Sequence, residues 1–119
     1  MLRVQEPWFS EIVAGRKTIE GRPGRAGERD SWIGTLVAIM QDDETERLET
    51  FMVVSVRHYL NLTDYLAAEG WVNCAPQAAS FADAVELYLS VENSLGAKLF
   101  SFHEIERRGG INAIKLTPV

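Results

Sequence analysis

One cysteine and two histidines stand in 119 residues, and that scarcity excludes several chemistries at once. Cys74 has no partner for an internal disulfide, which is compatible with a reducing compartment. With only His58 and His103 beside it, a Cys/His zinc cage would be incomplete without carboxylates, so neither a structural metal nor a cofactor is expected. No stretch of about 18 consecutive apolar residues occurs, and the first residues, Met-Leu-Arg-Val-Gln-Glu-Pro, lack the apolar run of a signal peptide. The expectation is an intracellular, cytoplasmic protein that has no membrane partner. Repeats, low-complexity tracts and linkers are also missing, while 46% apolar and 24% charged residues are ordinary for a globular chain. A single domain over residues 1–119 is expected, burying about two-thirds of its unfolded surface around one core.

Positive charge is in short supply too, with 12 Lys and Arg against 17 Asp and Glu. The net charge of −5 argues against a whole-surface attraction to phosphate. Yet residues 16–29 hold five cations (Arg16, Lys17, Arg22, Arg25, Arg29) against two carboxylates, a local +3 that leaves −8 for the remainder. Much of the negative charge lies in the turn from Asp42 to Glu49. Six acidic or hydroxyl groups there read as a solvated turn, since the spacing lacks the alternating ligands and glycine of a calcium loop. An anion has one preferred landing site.

The pattern of elements is mixed. Leu2–Gln5 reads as a strand. Pro7 opens a helix through Ala14 whose buried side is Trp8, Phe9 and Ile12, and Gly15 occupies the left-handed C-terminal cap position. Thr18–Arg22 is a second strand, followed by an exposed, mobile glycine-rich loop over residues 22–28. The β-branched runs Ile33–Gln41 and Glu49–Tyr59 flank the acidic turn as a hairpin. Asn61 caps a helix with an apolar face of Leu62, Tyr65 and Leu66. Residues 80–89 form the clearest helix, with Phe81, Ala84, Val85, Tyr88 and Leu89 at i, i+3, i+4, i+7 and i+8, a face that packs on the core. Ser101 and Glu104 open a last helix, ended by Gly109-Gly110 before the strand Ile111–Leu116. The order β-α-β-β-β-α-α-α-β gives an α+β fold with a mixed or antiparallel sheet and short flanking helices.

The densest chemistry is Gly15-Arg-Lys17-Thr-Ile-Glu20-Gly-Arg22. A lysine just beyond a helix C-terminus, with Glu20 close by, is held in its protonated form by both. Two readings stand side by side. In one, Lys17, Glu20 and Arg22 pair locally and fix the corner between helix and strand. In the other, Glu20 orients Lys17 and Arg22 so that both hold a phosphate or carboxylate, for which arginine's planar fork is suited. Strand alternation puts Thr18, Glu20 and Arg22 on one face and Lys17 on the other, so convergence requires Lys17 to sit in the irregular join. His58 shares a face with Met52, Val54 and Val56 in a regular strand and reads as a satisfied core or rim histidine rather than a catalyst.

This spacing resembles the GxKxxExR signature of the ASCH (activating signal cointegrator homology) domain. The Pro7-Trp8-Phe9 helix before it, the strand pair after it and the terminal Gly109-Gly110-Ile111-Asn-Ala-Ile114 strand fit the same outline. The resemblance implies a small PUA-like, mixed or antiparallel β-barrel with short flanking helices. It also implies a cleft that binds RNA, another single-stranded nucleic acid, or a nucleoside or nucleotide. Lys17, Arg22, Arg25 and Arg29 would be its nucleic-acid-binding cations, and Trp8 and Trp32 its stacking surfaces, worth about 1–3 kcal/mol per base. Some small bacterial proteins similar to this family are amidohydrolases of acylated nucleosides that use the motif lysine as base, a threonine as nucleophile and a downstream glutamate. That alternative, or a ribonuclease, would place Lys17 and Glu20 in the catalytic site, with Glu69 as the downstream acid. Glu20 stands where the hydrolases need a hydroxyl, and a carboxylate does not replace a hydroxyl in attacking an amide.

Overall fold

The computed structural model describes residues 1–119. Its elements are β1 (Leu2–Val4), α1 (Trp8–Val13), β2 (Ile19–Pro23), a 3₁₀ turn (Asp30–Trp32), β3 (Leu36–Gln41), β4 (Leu48–Tyr59), α2 (Leu62–Glu69), α3 (Trp71–Cys74), α4 (Phe81–Ser90), α5 (Phe102–Arg107) and β5 (Ile111–Pro118). The order matches the sequence reading except for α3, a single turn that begins directly beyond Gly70. No helix is long and apolar enough to cross a membrane.

The five strands form one sheet in the order β1-β3-β4-β5-β2, curled into a half-barrel whose two edges are β1 and β2. β1 runs parallel to β3, and every other pairing is antiparallel. Alternation along β5 divides the interior. Ile114 and Leu116 point into the half-barrel, where they meet Val37, Ile39, Phe51, Val53 and the Phe9–Ile12 side of α1. Ile111 and Ala113 point the other way, into a second core with Leu62, Tyr65 and Leu66 of α2 and Ala84 and Tyr88 of α4. The one core expected from composition is thus two, one on each face of the sheet.

The helix caps are local and explain their sequences. Asn61, Ser80 and Ser101 each accept a hydrogen bond from the backbone N–H three residues on, the N-cap arrangement that satisfies an otherwise unpaired donor. The carboxylates behind two of these caps go elsewhere, Asp83 to the backbone of Ala79 and Glu104 to Arg107. α1 ends in a Schellman motif: Gly15 N–H donates to Ile12 O and Arg16 N–H to Glu11 O, with Gly15 at φ +80°.

Three readings need correction. A bulge in β4 between Val53 and Ser55 shifts the register, so Val56 and His58 share the face of Val53 rather than that of Met52 and Val54. The loop after β2 is exposed over residues 25–28 as expected, but it is anchored at Gly24, which is buried and donates its N–H to Gly110 O at 2.9 Å. On α4, Phe81 remains exposed while Ala84 and Tyr88 are buried; the apolar face is narrower than its periodicity suggested.

Gly21 shows how tightly β2 meets the helices. A Cβ at this position would lie 2.7 Å from the Tyr65 hydroxyl and 2.8 Å from its Cζ, and Tyr65 is fully buried. We expect Gly21→Ala to cost about 1–3 kcal/mol by overpacking, read as a lower urea midpoint with an unchanged m-value. An unchanged midpoint would refute this account of the contact.

Candidate nucleic-acid interface

The Schellman turn carries the chain from α1 toward β2 and delivers Lys17 to the join, where its N–H also donates to Glu11 O at 3.0 Å. The side chain is completely enclosed. Its ammonium donates to Ile19 O (2.6 Å), Cys74 O (2.6 Å) and the Tyr88 hydroxyl (3.2 Å), three bonds that use all three of its donors. Glu20 Oε1 lies 3.5 Å away, and the ammonium sits 5.0 Å from the Trp8 ring centroid. Lys17 therefore meets Glu20 from the irregular join, as convergence required.

Glu20 divides its two oxygens. Oε1 faces Lys17, and Oε2 accepts from Arg22 Nε (3.1 Å) and Nη2 (2.9 Å). Arg22 Nη2 also donates to Arg3 O at 2.6 Å. Because Arg3 lies on β1 and Arg22 on β2, this guanidinium bridges the open seam between the two edge strands of the half-barrel.

A cleft of about 550 Å³ lies along that seam. Four guanidinium groups line it, those of Arg3, Arg22, Arg29 and Arg108, together with the aromatic side chains of Trp8, Tyr88 and Phe100. Carboxylates are present too: Asp42 is 3.8 Å from Arg3, and Glu104 is 4.0 Å from Arg108. The pKa of Arg29, whose partner is Glu28 at 3.0 Å, is lowered, first by burial and then, against the pull of Glu28, by the neighbouring Arg22 and Arg108 charges. Those three cations share one field, and an anion among them would relieve it.

The sequence-derived residues are distributed unevenly around this cleft. Trp8, Glu20, Arg22 and Arg29 line it. Lys17 lies behind its wall, with its side chain out of solvent. Arg25 is exposed and outside the lining, its carbonyl accepting from Asn112 Nδ2 at 3.3 Å. Trp32 packs on the half-barrel core with Arg29 5.5 Å over its ring and lines no part of the cleft. Glu69 belongs to a second cleft, where Arg57 forks onto both of its oxygens at 2.8 Å and the Tyr59 hydroxyl donates to it. Burial and this bond push the Tyr59 phenol up to about 12. His58 bonds Gly109 O at 2.8 Å. Arg3, Arg108, Tyr88 and Phe100 carried no local sequence signal, because β1, α5 and α4 reach the seam only through the fold. Tyr88, read as core alone, has its ring in the core and its hydroxyl on Lys17.

The direction of the Lys17 pKa shift is opposite to its sequence reading. Burial is the largest influence and lowers its pKa from 10.5; Glu20 only partly offsets this. The folded protein therefore releases this proton at a lower pH than the unfolded chain does. Between the depressed value and 10.5 the unfolded state binds more protons, so Lys17 makes stability rise with pH in that window. Tyr65 and Tyr88, raised by burial, act oppositely, but only as the unfolded phenols ionise near 10. We expect the stability of the natural protein, relative to Lys17→Met, to increase from pH 7 to 10 in urea titrations. Parallel stability curves would refute the assignment.

A family model described as the ASCH domain matches residues 2–119. Among solved structures, the crystal structure of hypothetical protein PH0355 is similar at a TM-score of 0.72 and 26% identity, covering 99% of this chain and 96% of that one. The NMR structure of protein PF0455 from Pyrococcus furiosus is similar at a TM-score of 0.63 and 20% identity, covering 99% and 94%. No curated protein matches. The match spans the Lys17–Glu20–Arg22 corner and nearly everything that packs around it, and the chain belongs to the ASCH domain family.

Proposed function

We propose that this ASCH domain binds single-stranded RNA or a nucleotide in the seam cleft, within a PUA-like half-barrel that residues 1–119 complete as one domain. The observation that carries this reading is the convergence of Arg3, Arg22, Arg29 and Arg108 beside Trp8 in one cleft. Guanidinium groups take phosphate oxygens in pairs, and an indole in a cleft wall offers a base a stacking surface. Lys17 acts from behind: it holds Glu20, Glu20 holds the Arg22 Nε edge, and the remaining Arg22 nitrogen, Nη1, which bonds nothing in the protein, is left for the ligand. Arg25, beside the cleft, adds to the field along the incoming strand.

Binding fits this arrangement better than hydrolysis. All three Lys17 donors are spent on protein oxygens, and no hydroxyl follows the lysine at the Glu20 position. Glu69 is engaged by Arg57 and Tyr59 in the other cleft.

Arg29→Ala combined with Arg108→Ala leaves the Lys17–Glu20–Arg22 chain intact and is the direct test. We expect at least tenfold weaker binding of a fluorescein-labelled 12-nucleotide uridylate or adenylate in anisotropy titrations. The slope of log K against log salt should fall by about 1.4, roughly 0.7 for each lost phosphate contact on a single strand. Unchanged affinity and slope would remove the seam cleft as the site.

A further inference from the structure

The second cleft, of about 680 Å³, opens between the end of α1, the start of β2, Phe51, Val54 and Arg57 of β4, the end of β5, and α2–α3. Of the chain's 12 lysines and arginines, all but Arg25 and Lys115 stand within 4.0 Å of a carboxylate. Lys115 lines this cleft, projecting from the middle of β5. An unpaired cation there is unlike the arginines of the seam cleft, each of which already meets a carboxylate. Hydroxyls stand near it: Thr18 and Thr117 line the same cleft, and neither side chain bonds elsewhere in the protein. The apolar part of the lining is the exposed side chain of Val54, with Ile12, Phe51 and Leu116, buried members of the half-barrel core, behind it.

The charges set the class of ligand. Lys115 and Arg57 face one carboxylate, Glu69, and Arg57 is already spent on it in a two-pronged contact. Lys17, which also lines this cleft, is balanced by Glu20, so the surplus is one positive charge, centred on Lys115. A single lysine is a compact point charge with three rotatable donors, unlike the several guanidinium forks that a dianionic phosphate favours. Apolar floor and single cation together call for a monoanion with an apolar body.

We infer that the Lys115 cleft is a second binding site, for a small monocarboxylate whose apolar tail lies on Val54 and whose carboxylate meets Lys115 and the Thr18 and Thr117 hydroxyls. It is distinct from the seam cleft. Lys17 lines the second cleft, while Trp8, Glu20 and Tyr88, which its ammonium meets, line the first; the enclosed lysine stands between them.

Octanoate and 1-octanol serve as probes, sharing a tail and differing in charge. In calorimetric or NMR titrations octanoate should bind at least tenfold more tightly than octanol. Lys115→Met, a change at an exposed position, should remove that preference while leaving octanol binding and thermal stability unchanged. Arg29→Ala with Arg108→Ala should leave octanoate binding intact. Equal affinities for acid and alcohol, or a preference that survives Lys115→Met, would overturn the site. Loss of octanoate binding in the Arg29/Arg108 variant would instead put the carboxylate in the seam cleft and overturn it equally. None of these outcomes depends on whether RNA binds, which the oligonucleotide titration decides alone.

Discussion

The enclosed ammonium of Lys17 is the constraint around which the chain is arranged. A lysine out of solvent is tolerated only where its charge is balanced and its donors are satisfied. Here the satisfaction comes from three stretches of chain: Ile19 and Glu20 of β2, Cys74 at the end of α3, and Tyr88 of α4. The GxKxxExR spacing follows from this. Gly15 ends α1 in a left-handed turn, the next two residues complete that turn, and three residues later the inward face of β2 brings a carboxylate to the ammonium. Moving the lysine by one residue would withdraw it from the join and leave three acceptors and a carboxylate without it.

From Glu20 the same chain of contacts continues outward. Arg22 carries it to the Arg3 carbonyl, across the only gap in the sheet order that ladder hydrogen bonds do not close. A buried ion pair is weak evidence for stability in itself, because desolvation opposes the Coulomb gain. Its consequence here is geometric. The lysine fixes Glu20, Glu20 fixes one edge of a guanidinium, and the guanidinium sets the distance between the edge strands that flank the cleft.

Much of the fold was legible because its determinants are local. Asn61, Ser80 and Ser101 announce their helices by cap chemistry, and Gly15 ends α1 by backbone conformation; the β-branched runs of β3 and β4 carry their own pattern. What was not legible depends on contacts between distant residues. The β4 bulge at Val54 is a property of its pairing with β5, and it reverses the face on which His58 was placed. The fall in the Lys17 pKa is caused by enclosure that Cys74 and Tyr88 supply from 57 and 71 residues away; the helix terminus and Glu20, which are local, suggested the opposite. The seam cleft was half visible. Trp8, Arg22 and Arg29 belong to the segment that drew attention, whereas Arg3, Arg108 and Phe100 join it only through the fold. Arg25 and Trp32, chosen by proximity in sequence, are not part of its lining.

The charge distribution then limits how an anion is captured. A chain of net charge −5 offers no long-range attraction to a polyanion, and the acidic turn that begins at Asp42 lies against the cleft through Arg3. Beyond about 10 Å at ordinary ionic strength the arginine field is screened in any case. Attraction is therefore confined to the last few ångströms, where forked hydrogen bonds and stacking operate and where geometry, rather than total charge, discriminates between ligands. Basic nucleic-acid-binding surfaces gain fast association and broad nonspecific affinity from their net charge. In the binding proposed above this cleft would forgo both, so its selectivity would rest on the placement of its four guanidinium groups, and that placement leads back through Arg22 and Glu20 to the buried lysine.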